Sequence, residues 1–114
     1  MASNFYFIKS ERTITHIEHD SLLYIYVENG LAVFVLSNKR RIISSSSLKA
    51  IEDDLPDHFI KINRSTLVNG YQINEYNMVK RKIHLNPNIQ LTVSTRKVIS
   101  VKFALIALNR MPIE

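Results

Sequence analysis

Short runs of apolar residues, several of them alternating with polar ones, cover most of the chain and predict β-strands. Residues 22–27 (LLYIYV) are apolar throughout, which predicts a central strand buried on both faces. The pair Asn29 and Gly30 follows it and favours a tight turn into a returning strand. In the run 12–18, Ile14 and Ile17 are expected to face inward. The other strand-like runs are 4–9, 31–36, 40–44, 72–77, 78–85 and 89–93.

The pattern changes to a helical period after the serine run 44–47. Leu48, Ile51 and Leu55 then recur on one stripe, which predicts a short helix. A serine of the run is the expected N-cap, and Pro56 ends the helix. Phosphorylation sites or a flexible linker are the weaker interpretations of the serines.

The closing segment 96–109 predicts a second, longer helix, capped by Ser94 or Thr95. This helix is more apolar than one buried stripe requires, which indicates either deep burial or a self-association face. The predicted stripe comprises Val98, Val101, Leu105 and Leu108, and the further apolar residues are Ile99, Phe103 and Ile106. Together these patterns predict a mainly β fold with one short central helix and a C-terminal helix.

The stretch 58–73 (HFIKINRSTLVNGYQI) places a polar island between two apolar runs. Its residues Asn63, Arg64, Ser65 and Thr66 should form the turn between two buried strands. Such a turn presents one cation, two hydroxyl groups and one amide at a fixed point. On spacing alone, a plain polar turn and a binding loop are equally good interpretations.

The length of 114 residues and an apolar fraction of 46% predict one domain with a packed core. We expect this domain to span 5–109, with a disordered or cloning-derived N-terminus at 1–4 and a tail at 110–114. The chain has no cysteine, no apolar run of membrane-spanning length and no signal-peptide pattern. These features suit a cytoplasmic protein that does not insert into a membrane.

Basic residues recur in or beside the predicted turns. Fifteen Lys and Arg against ten Asp and Glu give a formal net charge of +5. The cations cluster at 39–41, 80–82 and 96–97, and Lys61 and Arg64 lie in the central stretch. A single cluster is ordinary on a solvated surface, but several clusters at turns indicate a surface for phosphates.

The sequence offers little for catalysis or metal binding, so neither an enzyme, a cofactor nor a metal site is expected. Only two glycines are present, which excludes glycine-rich phosphate loops. His16 and His19 would point to opposite faces of a strand. Ser65 and His58 form only a nominal Ser/His pair.

Several motifs, taken in order, resemble the LytTR DNA-binding domain, the output module of many bacterial response regulators. The resemblance extends from about Phe5 to Leu108, almost the whole chain. The matching segments are LLYI at 22–25, SSLKAIE at 46–52, FIKINRSTLVN at 59–69, QI at 72–73 and VSTR at 93–96. The third segment resembles the family signature F-x-R-x-H-R-S-x-x-V-N, and the last resembles V-S-R-R.

The resemblance implies paired antiparallel β-sheets with a helix between them and loops that enter the DNA major groove. Carried over by position, the DNA-contacting loops are 29–31, 63–65 and 94–97. Planar guanidinium and amide groups suit base edges, and Lys, Arg, Ser and a helix N-terminus suit phosphates. The implied base contacts are Arg64, Arg96, Asn63 and Asn29. The implied phosphate contacts are Lys61, Ser65, Lys80, Arg81, Lys82, Ser94, Lys97 and Ser47.

Three positions depart from the family pattern. Leu31 stands where a polar or aromatic residue is common, Asn63 replaces the signature histidine, and Thr95 replaces a frequent arginine. Contact of Leu31 with a thymine methyl group remains open, and the other two changes imply a different preferred DNA sequence.

The expected function is sequence-specific binding of double-stranded DNA in bacterial transcription regulation. The resemblance further implies direct repeats as the target, a homodimer on DNA and a receiver domain upstream in a two-component regulator. The alternative is a protein-interaction β domain that docks a partner through its apolar C-terminal helix.

Overall fold

A computed structural model describes residues 4–86 and 88–109. Residues 1–3 of the predicted N-terminal segment 1–4, the predicted tail 110–114, and Pro87 of the turn predicted at 86–88 lie outside the described residues. The strands are β1 (Phe5–Lys9), β2 (Ile14–Glu18), β3 (Leu22–Glu28), β4 (Leu31–Leu36), β5 (Arg41–Ser44), β6 (Phe59–Asn63), β7 (Thr66–Asn69), β8 (Ile73–Asn77), β9 (Lys82–Leu85) and β10 (Ile89–Thr92). The helices are α1 (Leu48–Asp54) and α2 (Val98–Asn109).

The strands form three antiparallel sheets, which confirms the mainly β prediction. A five-stranded sheet in the order β5-β4-β3-β7-β6 lies at the centre. β1 and β2 form a separate hairpin, and β10-β9-β8 form a three-stranded sheet. β3 is the middle strand of the central sheet, as the apolar run 22–27 predicts.

The central sheet is buried on both faces by two separate cores. On one face, Ile25, Phe34 and Leu67 pack with residues of the β1–β2 hairpin and α1. On the other face, residues including Ile62 and Val68 pack with the three-stranded sheet and α2. In β3, β6 and β7, neighbouring apolar residues such as Leu67 and Val68 enter different cores, because side chains alternate across a sheet.

Helix α1 begins and ends as its sequence predicts. The Ser47 hydroxyl oxygen accepts a hydrogen bond from the Ala50 N–H at 3.1 Å, the usual N-cap interaction. Leu48 and Ile51 face the core. The chain leaves the helix at Leu55, ahead of Pro56.

Two sequence expectations are wrong. Ile14 is 66% exposed rather than inward-facing, because β2 pairs only with β1 and only its Ile17 side reaches the core. The run 78–85 is not one strand, since only Lys82–Leu85 is extended. Before it, the Asn77 side chain accepts a hydrogen bond from the Lys80 N–H at 3.0 Å and Arg81 has a φ of 54°, which together form a turn.

Helix α2 packs its predicted stripe against the second core and leaves other apolar residues exposed. Val101 is fully buried, and Val98, Leu105 and Leu108 pack against the same core. Ile99 and Phe103 are 60% and 61% exposed, so deep burial does not account for the apolar excess within this chain.

Asn69 joins three segments of the fold from a fully buried position. Its Nδ2 donates to the carbonyl oxygens of His19 at 3.1 Å and Leu22 at 2.9 Å. Its Oδ1 accepts from the Tyr71 N–H at 3.0 Å. A single amide therefore satisfies backbone groups before β3, in β3 and after β7.

Two packed histidines lie beside this amide. His19 is buried, His58 is half-buried, and their ring centroids are 6.4 Å apart. The Nε2 atom of each is buried with no hydrogen-bond partner within the described residues. Burial lowers the pKa of His19, against the charges of Asp20 and Glu18. Burial, and then the nearby His19, lower the pKa of His58.

The free energy of unfolding is expected to fall between about pH 7.5 and pH 5, because unfolded histidine titrates near 6.5. In that window the unfolded chain binds protons that the folded chain does not, so acid favours unfolding. Urea denaturation at both pH values measures the effect. The double variant His19→Gln with His58→Gln should lose most of the pH dependence, whereas His16→Gln, which changes an exposed ring, should keep it. If both variants show the same pH dependence, His19 and His58 are not its source.

Candidate nucleic-acid interface

Two tight turns meet at one end of the central sheet. The β3–β4 turn consists of Asn29 and Gly30, whose φ values of 53° and 78° are those of the predicted hairpin. The β6–β7 turn carries Arg64 and Ser65. The Ser65 carbonyl oxygen accepts the Val27 N–H at 2.9 Å, which fixes this turn beside the end of β3.

A third segment, 93–97, joins the β6–β7 turn from the other core. The Ser94 N–H donates to the Ile62 carbonyl oxygen at 2.9 Å, and Asn63 Nδ2 donates to the Thr92 carbonyl oxygen at 2.9 Å. These two bonds hold the start of the 94–97 loop against the end of β6. The three predicted loops therefore lie at the same end of the fold, although they are far apart in the chain.

A cleft of about 540 Å³ lies between the second and third loops. Arg64 and Arg96 line it, and both are exposed. Its lining contains no carboxylate, and the single ion pair within the described residues, Lys49 with Asp53, lies on α1. The other lining residues are Lys61, Asn63, Ser94, Thr95 and Lys97. The lining of this cleft therefore combines positive charge with hydrogen-bond donors, and such groups suit phosphates and base edges.

Asn63 is occupied by bonds within the chain. Besides the bond to Thr92, its Oδ1 accepts from the Ser65 N–H at 2.9 Å and from the Ser65 hydroxyl at 3.1 Å. One side chain thus closes the β6–β7 turn and ties it to β10. Sequence reasoning did not find this role, since the side chain's partner at Thr92 is 29 residues away.

The basic turn 80–82 supports the third loop. Arg81 donates from Nη1 to the Val93 carbonyl oxygen at 2.9 Å and accepts the Val93 N–H at its own carbonyl oxygen at 2.9 Å. Lys82 Nζ donates to the Thr92 hydroxyl at 2.8 Å. Lys80 is exposed beside them. Arg81 and Lys82 therefore hold the 92–93 segment in place, whereas Lys80 projects from the turn.

Other sequence candidates lie elsewhere. The cluster 39–41 forms the β4–β5 turn, at the end of the sheet opposite Gly30. His58 and Ser65 are separated by the whole of β6. Ser47 caps α1, a helix of seven residues, and its hydroxyl oxygen is used by the Ala50 N–H. Within the described residues, no group of three or more His, Asp or Glu could hold a metal ion, and no helix is long and apolar enough to cross a membrane.

Comparison with known proteins agrees with the family resemblance. The profile of the LytTr DNA-binding domain matches residues 12–106. Among solved structures, the chain is similar to the LytTr DNA-binding domain of a protein from Bacillus cereus assigned as a methyl-accepting/DNA response regulator, with a TM-score of 0.78 and 17% identity. That match covers 91% of this chain and 98% of the other, and at this identity it shows the fold alone. No curated protein sequence matches significantly. Because the family profile spans most of the sequence, the chain belongs to the LytTR family of DNA-binding domains.

Proposed function

We propose that this domain regulates transcription by inserting its three loops into the major groove of a specific DNA sequence. The observation that carries the proposal is the cleft in which Arg64 and Arg96 lie exposed on two adjoining loops with no carboxylate in the lining. Membership of a DNA-binding family supports DNA as the partner. The proposed setting is the bacterial cytoplasm, in a two-component regulator with an upstream receiver domain and paired direct repeats bound by a homodimer.

The residues of the interface take different roles. Arg64 and Arg96 read bases, because a planar guanidinium can donate two hydrogen bonds to guanine O6 and N7. Asn29 lies exposed on the β3–β4 turn and adds an amide for a base edge. Leu31, 40% exposed beside it, suits a thymine methyl group. The phosphate contacts are assigned to Lys61, Ser65, Lys80, Ser94 and Lys97.

Asn63 and Arg81 act as positioning residues in this proposal. Their hydrogen bonds to Thr92 and Val93 fix the strand end that leads into the 94–97 loop. Lys82 contributes in the same way through the Thr92 hydroxyl. DNA affinity then depends on these residues through the placement of Arg96.

Lys80→Ala is expected to weaken binding to every duplex sequence by a similar factor. Its exposed ammonium contacts a phosphate and releases a counterion, so the slope of log K against log salt should become shallower by about 0.9. Mobility-shift titrations on a selected duplex and a random duplex, at two or more salt concentrations, measure both quantities. Lys49→Ala, on the exposed side of α1, is the matched control. Salt-independent behaviour, or no shift with either duplex, would reject DNA binding.

Protein docking through α2 is the second candidate function. The 60% exposure of Ile99 and 61% exposure of Phe103 favour it, since such residues leave an apolar surface uncovered. Sedimentation of the chain with and without duplex, at two salt concentrations, separates the two functions. Association that needs no DNA and does not weaken with salt would favour docking.

A further inference from the structure

One basic cluster of the sequence is not used by the proposed DNA interface. Lys39, Arg40 and Arg41 lie at the β4–β5 turn, which the length of β4 separates from the DNA loops, about 17 Å at 3.4 Å per residue. The DNA proposal therefore leaves these cations without a role.

A cavity of about 240 Å³ opens beside this cluster, between the central sheet and β10. Its inner wall is apolar, because the buried residues Leu23 and Val35 line it together with Ile89 of β10. An engineered apolar cavity of about 150 Å³ is large enough to bind benzene. The cavity here can therefore enclose one ring and a short substituent.

The rim of the cavity is cationic and polar. Lys39 and Arg41 both line it, and within the described residues neither has a carboxylate partner, since the single ion pair there is between Lys49 and Asp53. Tyr24 lines the cavity as well, and burial raises the pKa of its phenol. A ligand that fits needs an apolar body and a single anionic head.

We propose that this cavity is a binding site for a small aryl carboxylate. The ring packs against Leu23, Val35 and Ile89, and the carboxylate accepts charge-assisted hydrogen bonds from Lys39 and Arg41. The site is separate from the DNA loops and does not depend on the proposed DNA function.

The test is a titration of the 114-residue chain with phenylacetate, followed by amide chemical shifts in ¹H–¹⁵N spectra. Saturable shifts are expected at Leu36, Ser37, Arg41 and Ile89. The neutral isostere phenylacetamide has the same ring but no charge, and it should bind at least about tenfold more weakly. Equal affinity for the two compounds would overturn the proposal, and so would shifts that do not saturate.

Variants at the rim separate this site from general attraction of anions. Arg41→Gln and Lys39→Gln should each weaken phenylacetate binding by about fivefold or more, because each removes one charged donor. Arg40→Gln changes a neighbouring exposed cation that does not line the cavity, and it should leave the affinity unchanged. A loss of the same size with Arg40→Gln, or phenylacetate shifts centred on Arg64 and Arg96, would refute the site.

Discussion

Asn69→Ala should lower the free energy of unfolding by about 3–5 kcal/mol, the largest effect on stability that we expect of a single substitution here. The variant removes the hydrogen bonds to the carbonyl groups of His19 and Leu22 and to the N–H of Tyr71, and of these groups the His19 carbonyl keeps a second donor, the Leu22 N–H. Each unpaired buried group costs about 1–3 kcal/mol, and the missing side chain leaves a void as well. Urea denaturation at pH 7.5 measures the change.

Asn74→Ala is the matched control for this substitution. Asn74 lies on β8 and is exposed, so its change is expected to stay within about 0.5 kcal/mol. If the two variants lose the same stability, Asn69 does not have the structural role assigned to it. Since domains of this kind are stable by only about 5–15 kcal/mol, Asn69→Ala removes a large share of the total.

The largest effect on recognition is expected from Arg64→Ala and Arg96→Ala. Each should cost about 1–3 kcal/mol of binding free energy on the preferred duplex, concentrated at particular base pairs. The reason is that the planar guanidinium can donate two hydrogen bonds to one guanine, which alanine cannot do. Selection from random DNA supplies the preferred sequence, and mobility-shift titrations of single-base variants locate the base pairs affected.

Lysine replacements sharpen this experiment. Arg64→Lys and Arg96→Lys keep the positive charge but lose the planar pair of donors. Compared with the alanine variants, they should regain affinity for random DNA but regain little discrimination between base pairs. Arg40→Ala, at the far end of the sheet, should change neither quantity. Unchanged binding to the preferred duplex in both alanine variants would refute the loop proposal.

Local signals were enough to predict most of the fold. The apolar run 22–27, the Asn29 and Gly30 pair, and the Ser47 cap each depend on neighbouring residues, and the structure contains each as predicted. The strand order of the central sheet does not follow from such local signals, because β3 pairs with β7, which lies far from it in the chain. No turn or apolar pattern in the sequence predicts that pairing.

The sequence was less informative about which polar side chains are available to a ligand. Asn63 and Arg81 look like surface donors in the sequence, yet their bonds to Thr92 and Val93 occupy them within the fold. Position 81 carries no turn signal, since a positive φ at arginine is uncommon. The cluster 39–41 looks equivalent to 80–82 in composition. Only the fold places 39–41 at the β4–β5 turn of the central sheet and 80–82 at the β8–β9 turn, beside the 92–93 segment.

The pairing of β3 with β7 also determines when, during folding, the three proposed DNA-contacting loops come together. The hairpin of β3 and β4 can form from neighbouring residues, but Arg64 is placed only after β7 has reached β3 across the intervening chain. The placement of Arg96 needs a second non-local contact, that of Thr92 with Asn63. Non-local closures of this kind slow folding towards milliseconds or longer. On the ribosome, the three loops proposed to contact DNA therefore cannot all be in place until residue 97 has been synthesised.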